Sequence, residues 1–418
     1  MNPTDTPFVN PIVIVREDFD DAAILFHPHL GAAIPATGVA LDLWRALDGR
    51  RTIAEIADAL SAQYDQSPQV VLEDALAFTQ DLYQRLLVLT EPPPNVSTPR
   101  ERPRRFVIPE GTAAPTREPI SHEAYRLTLA DGTQFVLRAM DADAARVVAF
   151  FAQSARLNEK PEESSRPGWS KTVLVATRPF DAPAETVCLL EPPTALRRGK
   201  RFGGGEGKIA FQYESLSPEH WLWLQLLQLV ACIGVQVQAR GGVLIHSALA
   251  GLPPAERRGE RGGVILAAHS GVGKTTASNR LPAPWVALCD DTTLIVRDDA
   301  GAYWAHPMPT WSHIFREEKI FSWDTQTAIP LRAIFLLRQG ETDRVIRLGA
   351  EHAIGFLLER AQEPTEYWRD DLGLAELGAF NTQTFDNLCH LLRAAPCYLL
   401  DARVDGEFWK EVEAVIGQ

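Results

Sequence analysis

The residues best suited to chemistry in this 418-residue chain lie in Gly263–Leu281, GVILAAHSGVGKTTASNRL. An apolar run, Val264-Ile265-Leu266, breaks there into a glycine-rich loop that ends Gly273-Lys274-Thr275 and opens a helix from Thr275 to Leu281. Backbone N–H groups across Ser270, Gly271, Val272 and Gly273 can wrap an anion, Lys274 can reach β- and γ-phosphates, and the Thr275 hydroxyl suits Mg²⁺, with Thr276 following. The spacing is that of G-x-x-x-x-G-K-[ST], with Ala268 in place of the first glycine. Just downstream, Trp285–Cys289 reads as a buried strand delivering Asp290 and Asp291 at its end. One carboxylate would hold Mg²⁺ with Thr275 while the other takes a proton from an attacking hydroxyl, and spacing does not say which. The pair could instead open a turn. Upstream, Gly242–Ala250 is a third apolar run with His246 inside it, a core histidine by burial alone or a partner of the carboxylates.

The order G-V-L-I-H, A-x-S-G-V-G-K-T, then a strand ending Asp-Asp resembles the catalytic domain of HPr kinase/phosphorylase. That resemblance implies that Lys274 and Thr275 bind ATP·Mg²⁺, that Asp290 or Asp291 deprotonates a protein hydroxyl, and that His246 tunes that carboxylate. Through PAPWVALCDDTTLIV, AHPMPTWS (Ala305–Ser312) and CYLLDARVDGEFWKEVE (Cys397–Glu413) the chain more closely resembles the HPr-kinase-like proteins of the SynChlorMet peptide-modification cassette, from Tyr125 to the C-terminus. These accompany radical-SAM enzymes and a short precursor peptide. The arginine-containing glycine signature linked to phosphorolysis in HPr kinase does not follow the Asp pair, which leaves Arg316, Lys319 and Arg332 as candidate charge stabilisers. The prolines of AHPMPTWS read as a rigid loop presenting His306, Trp311 and Ser312 near the site.

The elements that position a substrate come earlier. Pro11–Asp18, Ala22–Pro28 and Gly31–Ala36 read as three short strands. Helices follow from Val39 to Leu47 with a stop at Gly49, from the capping box Thr52-x-x-Glu55, and from Ser67-Pro68 to Leu87. With LWRALDGRRTIAEIADAL at its centre, Val13–Leu89 resembles the PqqD family of peptide-recognition domains, a winged-helix-like unit. The resemblance implies capture of a precursor's leader as an added strand, on an edge containing Gly31, Ala32, Ala33 and Ile34, against a groove wall of Val71, Asp74, Ala75, Phe78 and Leu82. The same shape occurs in DNA binders, but acidic residues outnumber basic ones from Met1 to Leu89, so phosphate neutralisation is not available.

Between the two regions, Glu91–Pro119 holds eight prolines and reads as a semi-extended linker with an Arg100, Arg102, Arg104, Arg105 cluster. Beyond it, YRLTLADGTQFVLRAM signals a hairpin turning at Asp131-Gly132, Ala142–Leu157 a helix, Thr172–Ala176 and Thr186–Leu190 strands, and KRFGGGEGK (Lys200–Lys208) a loop. The apolar helix opened by Ser217-Pro218 carries Gln225, Gln228 and Gln236 on one face and is interrupted by Gly234, which argues for a core helix rather than a membrane span. A net charge of −13 argues against nucleic-acid or anionic-membrane partners. Five cysteines without C-x-x-C spacing, and a first segment without a secretory pattern, point to a reduced, cytoplasmic setting.

The expected fold class is α/β (α+β overall), with a PqqD-like domain at 1–91, a linker at 92–119 and a P-loop domain at 120–418. The expected function is an ATP- and Mg²⁺-dependent kinase phosphorylating a Ser or Thr hydroxyl of a ribosomal precursor peptide held by its leader, alongside radical-SAM maturation enzymes. Two alternatives stay open: a nucleotide-gated adaptor delivering the peptide to such an enzyme, and an ATP-dependent kinase of a small molecule.

Overall fold

The computed structural model describes residues 1–19, 22–91, 106–107, 124–157, 169–178, 186–190, 218–252, 262–310, 323–370 and 372–416. They form a mixed α/β protein of two compact units. The first comprises Met1–Glu101 with Leu348–Glu359 and Leu372–Arg393, the second Arg102–Arg347, Arg360–Asp371 and Ala394–Gln418.

In the first unit, β1 (Phe8–Val9) precedes an antiparallel sheet of β2 (Ile14–Phe19), β3 (Ala22–His27) and β4 (Ala32–Thr37). Helices α1 (Gly38–Ala46), α2 (Ile53–Tyr64) and α3 (Pro68–Gln84) follow, and β5 (Val88–Leu89) returns to pair with β1. The expected capping box is formed: Glu55 N–H donates to Thr52 Oγ1 and Thr52 N–H to Glu55 Oε2. Ala23 and Leu25 point from β3 into a core with Leu43, Trp44, Ile56 and Leu82.

Every residue of β3 is buried, and a strand that is apolar on both faces needs cover on both. On the second face Phe26 stacks against Phe385, in the helix Leu374–Ala394. Asn381 Nδ2 donates to the Pro28 carbonyl at 2.7 Å, and Arg16 pairs with Asp386. Gly378 lets this helix close on the sheet, since a Cβ there would lie 2.8 Å from the His29 ring. A second helix, Ala350–Gln362, approaches through Gly355, where a Cβ would lie 2.6 Å from the Ala33 carbonyl oxygen. Residues 348–359 and 372–393, far along the chain, thus complete the N-terminal unit.

The second unit begins inside the expected linker. Phe106–Val107 forms β6, paired antiparallel with β10, because two consecutive apolar residues suit a sheet edge; the rest of that linker lies outside the described residues. A five-stranded sheet runs β6, β10 (Thr186–Leu189), β9 (Ser170–Ala176), β8 (Gln134–Ala139), β7 (Tyr125–Thr128), with the β7–β8 hairpin as expected. Helix α4 (Ala142–Ser154) and α5 (Pro218–Gln238) follow; 72% of Trp221–Gln238 is buried, as a core helix requires, and Gln225, Gln228 and Gln236 are all inside.

The larger sheet has eight strands: β11 (Val243–Gly251), β12 (Gly263–Ala267), β13 (Val286–Cys289), β14 (Thr292–Arg297), β15 (Tyr303–Pro307), β16 (Ile329–Gln339), β17 (Arg344–Leu348) and β18 (Cys397–Ala402). Helix α6 (Lys274–Asn279) leaves β12 through the glycine-rich loop. The two helices already met are α7 (Ala350–Gln362) and α9 (Leu374–Ala394), flanking a 3-10 turn Glu363–Thr365 and the short α8 (Glu366–Arg369); α10 (Trp409–Ile416) ends the chain. Strand β11 pairs antiparallel with β12, β13 and β14, so it bends across the sheet and holds three strand ends together.

Candidate nucleotide site

Register brings the three sequence motifs to one level. Ser247 on β11 lies opposite Ala267, the last residue of β12, and its N–H donates to the Asp291 carbonyl at 2.9 Å. Because β13 and β12 both run antiparallel to β11, they are parallel to each other and end at the same edge, glycine-rich loop beside Asp pair. Strand β13 is not the buried strand expected, for Val286 is 47% exposed and only its end, Cys289, is buried. Among the described residues it pairs with β11 alone, as an outer strand does.

The loop between β12 and α6 turns on two glycines in the left-handed region. Gly271 and Gly273 sit at φ 83° and 112°, where a side chain would be strained. Val272 N–H turns back to the His269 carbonyl, and Ser270, Gly271 and Thr276 are exposed at the rim. Lys274 is buried and its Nζ donates to the Ala268 carbonyl at 3.0 Å. Burial lowers its pKa, while Asp291 and Glu363 act against that shift. Thr275 Oγ1 donates to Asp290 Oδ2 at 3.2 Å, which sets hydroxyl and carboxylate side by side as two hard oxygens that could hold a divalent cation. Among the described residues no three His, Cys, Asp or Glu side chains gather as a metal cage.

His246, on β11, faces Asp291: Nδ1 lies 3.4 Å from Oδ1. Burial takes its pKa to about 4, so the ring is neutral near pH 7. Asp291 also accepts a 2.8 Å bond from Thr310 Oγ1. Two further residues that sequence reading missed complete the cluster. Glu363 Oε2 lies 3.6 Å from His246 Nε2, and Arg360 Nη1 lies 2.9 Å from Glu363 Oε1 and 3.4 Å from the Ala268 carbonyl. Arg360 interrupts the buried stripe Ala353, Ile354, Leu357, Ala361 of α7, and a charge on an apolar stripe is the signal that would have found it.

Other expected contributors lie elsewhere. His306 is not presented on a loop: it belongs to β15, fully buried, where Nε2 accepts from Ala130 N–H at 3.1 Å and Nδ1–H donates to the Thr325 carbonyl at 2.8 Å. Pro307 is the last residue of β15, paired with Thr293 of β14, and Pro309 lies just beyond the strand. Arg332 packs beside Gly262 at the start of β12, the end opposite the glycine-rich loop. Arg316, Lys319, Trp311, Ser312 and Lys200–Lys208 lie outside the described residues.

In the first unit, Ala32, Ala33 and Ile34 do lie on an outer strand, β4, next to Gly31 at φ 60°. Of the expected groove wall, Val71, Ala75 and Leu82 are buried in the core, since the 3.6-residue stripe on α3 is its packing face. Asp74 is exposed, and Phe78 is half-buried and packs against the same core.

Residues 212–417 match the family model of SynChlorMet cassette protein ScmC. Residues 22–88 match that of coenzyme PQQ synthesis protein D, PqqD. No curated protein matches the chain. Among solved structures, TbiB1 in complex with the TbiA(beta) leader peptide aligns at 23% identity over 21% of this chain and 99% of that chain, with a TM-score of 0.19. The chain therefore carries a PqqD-like domain over residues 22–88 and a ScmC domain over residues 212–417.

Proposed function

We propose that this protein is an ATP- and Mg²⁺-dependent kinase that phosphorylates a Ser or Thr hydroxyl of a ribosomally made precursor peptide, in peptide natural-product maturation. The observation that carries the reading is the convergence of Lys274, Thr275, Asp290, Asp291 and His246 at one end of the sheet. The PqqD-like and ScmC matches support the peptide and the pathway class. The leader-peptide complex of TbiB1 shows what that protein binds, and here it only frames the choice of ligand to test.

Phosphoryl transfer asks for positioning and charge neutralisation more than for covalent chemistry. The loop N–H groups and Lys274 would orient the nucleotide's phosphates. Bound Mg²⁺ would neutralise charge on the phosphate oxygens, held by Thr275 and Asp290, which already share a hydrogen bond. Asp291 is the better base: its carboxylate is turned to His246 and Thr310 rather than to Thr275. It takes the hydroxyl proton as the substrate oxygen bonds to the γ-phosphorus and the bond to ADP breaks. His246 lies beside that carboxylate, its Nδ1 3.4 Å from Oδ1, and fixes its orientation. A peptide held by its leader would gain effective concentration at the site.

Removing the leader from the precursor peptide tests the peptide assignment on the intact chain, in which Phe26 and Pro28 pack against Phe385 and Asn381. A large rise in KM for the leaderless peptide with kcat little changed supports it, whereas transfer to a small hydroxyl compound and to no peptide supports a small-molecule substrate. Nucleotide binding with no transfer to any peptide supports the adaptor reading.

A further inference from the structure

We propose that Arg360 is a second phosphate-binding cation of this site, presented by Glu363 to the terminal phosphoryl group alongside Lys274. The inference rests on the kinase reading above and adds a residue to it.

Lys274 Nζ and Arg360 Nη1 approach the same atom, the carbonyl oxygen of Ala268, at 3.0 and 3.4 Å. Two cations converging on one uncharged acceptor match it poorly, and an anion at that point would suit both. Both side chains are 5% exposed as residues, so neither charge is there to meet solvent. A buried arginine on the apolar face of a helix is expensive unless a partner fixes it, and Glu363, three residues on, does so at 2.9 Å. The 3-10 turn after α7 is what brings that carboxylate back toward the guanidinium. The Nη1 group that meets the Ala268 carbonyl belongs to a planar fork of donors suited to phosphate oxygens, a geometry that a lysine lacks. Its position at the start of the loop, next to the end of the Lys274 side chain, places it by the γ- rather than the α-phosphate, since the P-loop lysine reaches the β- and γ-groups. Charge that accumulates there during transfer is what a second cation stabilises.

The test compares wild type, Arg360→Ala and Arg360→Lys in the full chain, reading peptide phosphorylation and, separately, ADP and ATP affinity by calorimetry with Mg²⁺. Arg360→Ala is expected to lower kcat about a hundredfold or more while ADP affinity stays within about threefold. Arg360→Lys, which keeps the charge and guards against a folding defect, is expected to fall between, and added guanidinium ion to restore part of the activity of Arg360→Ala. Transfer by both variants within about threefold of wild type overturns the proposal, as does parallel loss of ADP affinity and kcat in both. A wild type that binds ATP but phosphorylates no precursor peptide sinks the kinase reading itself, and this inference with it, before any variant is compared.

Discussion

The rings of Phe26 and Phe385 stack with centroids 4.3 Å apart and planes 3° from parallel, so a strand of the PqqD-like domain is closed by a helix of the ScmC domain. Both side chains are fully buried. Phe385→Ala removes that cover and leaves a cavity over β3. A loss of about 3–5 kcal/mol is expected in urea denaturation of the full chain. A change below about 1 kcal/mol would mean that the sheet face is covered some other way.

His306 carries a pH-dependent term. Burial takes its pKa to about 4 from 6.5, so between those values the unfolded chain holds more protons than the folded one. Stability is full above pH 6.5 and falls as pH drops toward 4, by on the order of 3 kcal/mol from this residue. His246 is shifted in the same direction, so His306→Gln should flatten only part of the slope in denaturation series from pH 7 to pH 4.5. An unaltered slope would remove His306 from the account.

Gly273 has φ 112°, and a Cβ there would meet nothing nearer than the Thr276 Cβ at 3.9 Å. Alanine would therefore be strained by backbone conformation and not by crowding, at a cost of about 1–3 kcal/mol. Gly273→Ala should keep the fold by circular dichroism and weaken Mg·ATP binding about tenfold or more in calorimetry. Unchanged affinity would show that the loop does not cradle phosphate.

The two carboxylates should separate. Asp290→Asn is expected to raise the Mg²⁺ concentration needed for half-maximal activity, as the neighbour of Thr275. Asp291→Asn should lower kcat about 10²–10⁴-fold with the Mg²⁺ requirement unchanged. Metal titrations of phosphorylation rate distinguish the two, and the reversed pattern would exchange their roles.

Local signals were legible in the sequence. The loop from Ser270 to Thr276, the Asp pair and the capping box at Thr52 are each set by a few adjacent residues, and the structure has them where spacing placed them. Arg360 and Glu363 were not legible because they reach the Ala268 carbonyl and His246 from a helix end far downstream, and only the tertiary fold makes them neighbours. The PqqD resemblance implies a groove wall on α3, but it does not say which α3 residues the domain's own core covers, and Val71, Ala75 and Leu82 are in that core. His306 was misplaced for a related reason: proline pairs mark loops and strand borders alike, and pairing with β14 decides.

The most direct measurement is transfer of label from γ-labelled ATP, with Mg²⁺, to a leader-bearing precursor peptide from the same cassette. The account predicts labelled peptide with the wild-type chain and none with Lys274→Ala. Peptide left unlabelled by a folded, ATP-binding wild type, or labelled equally by Lys274→Ala, would contradict it.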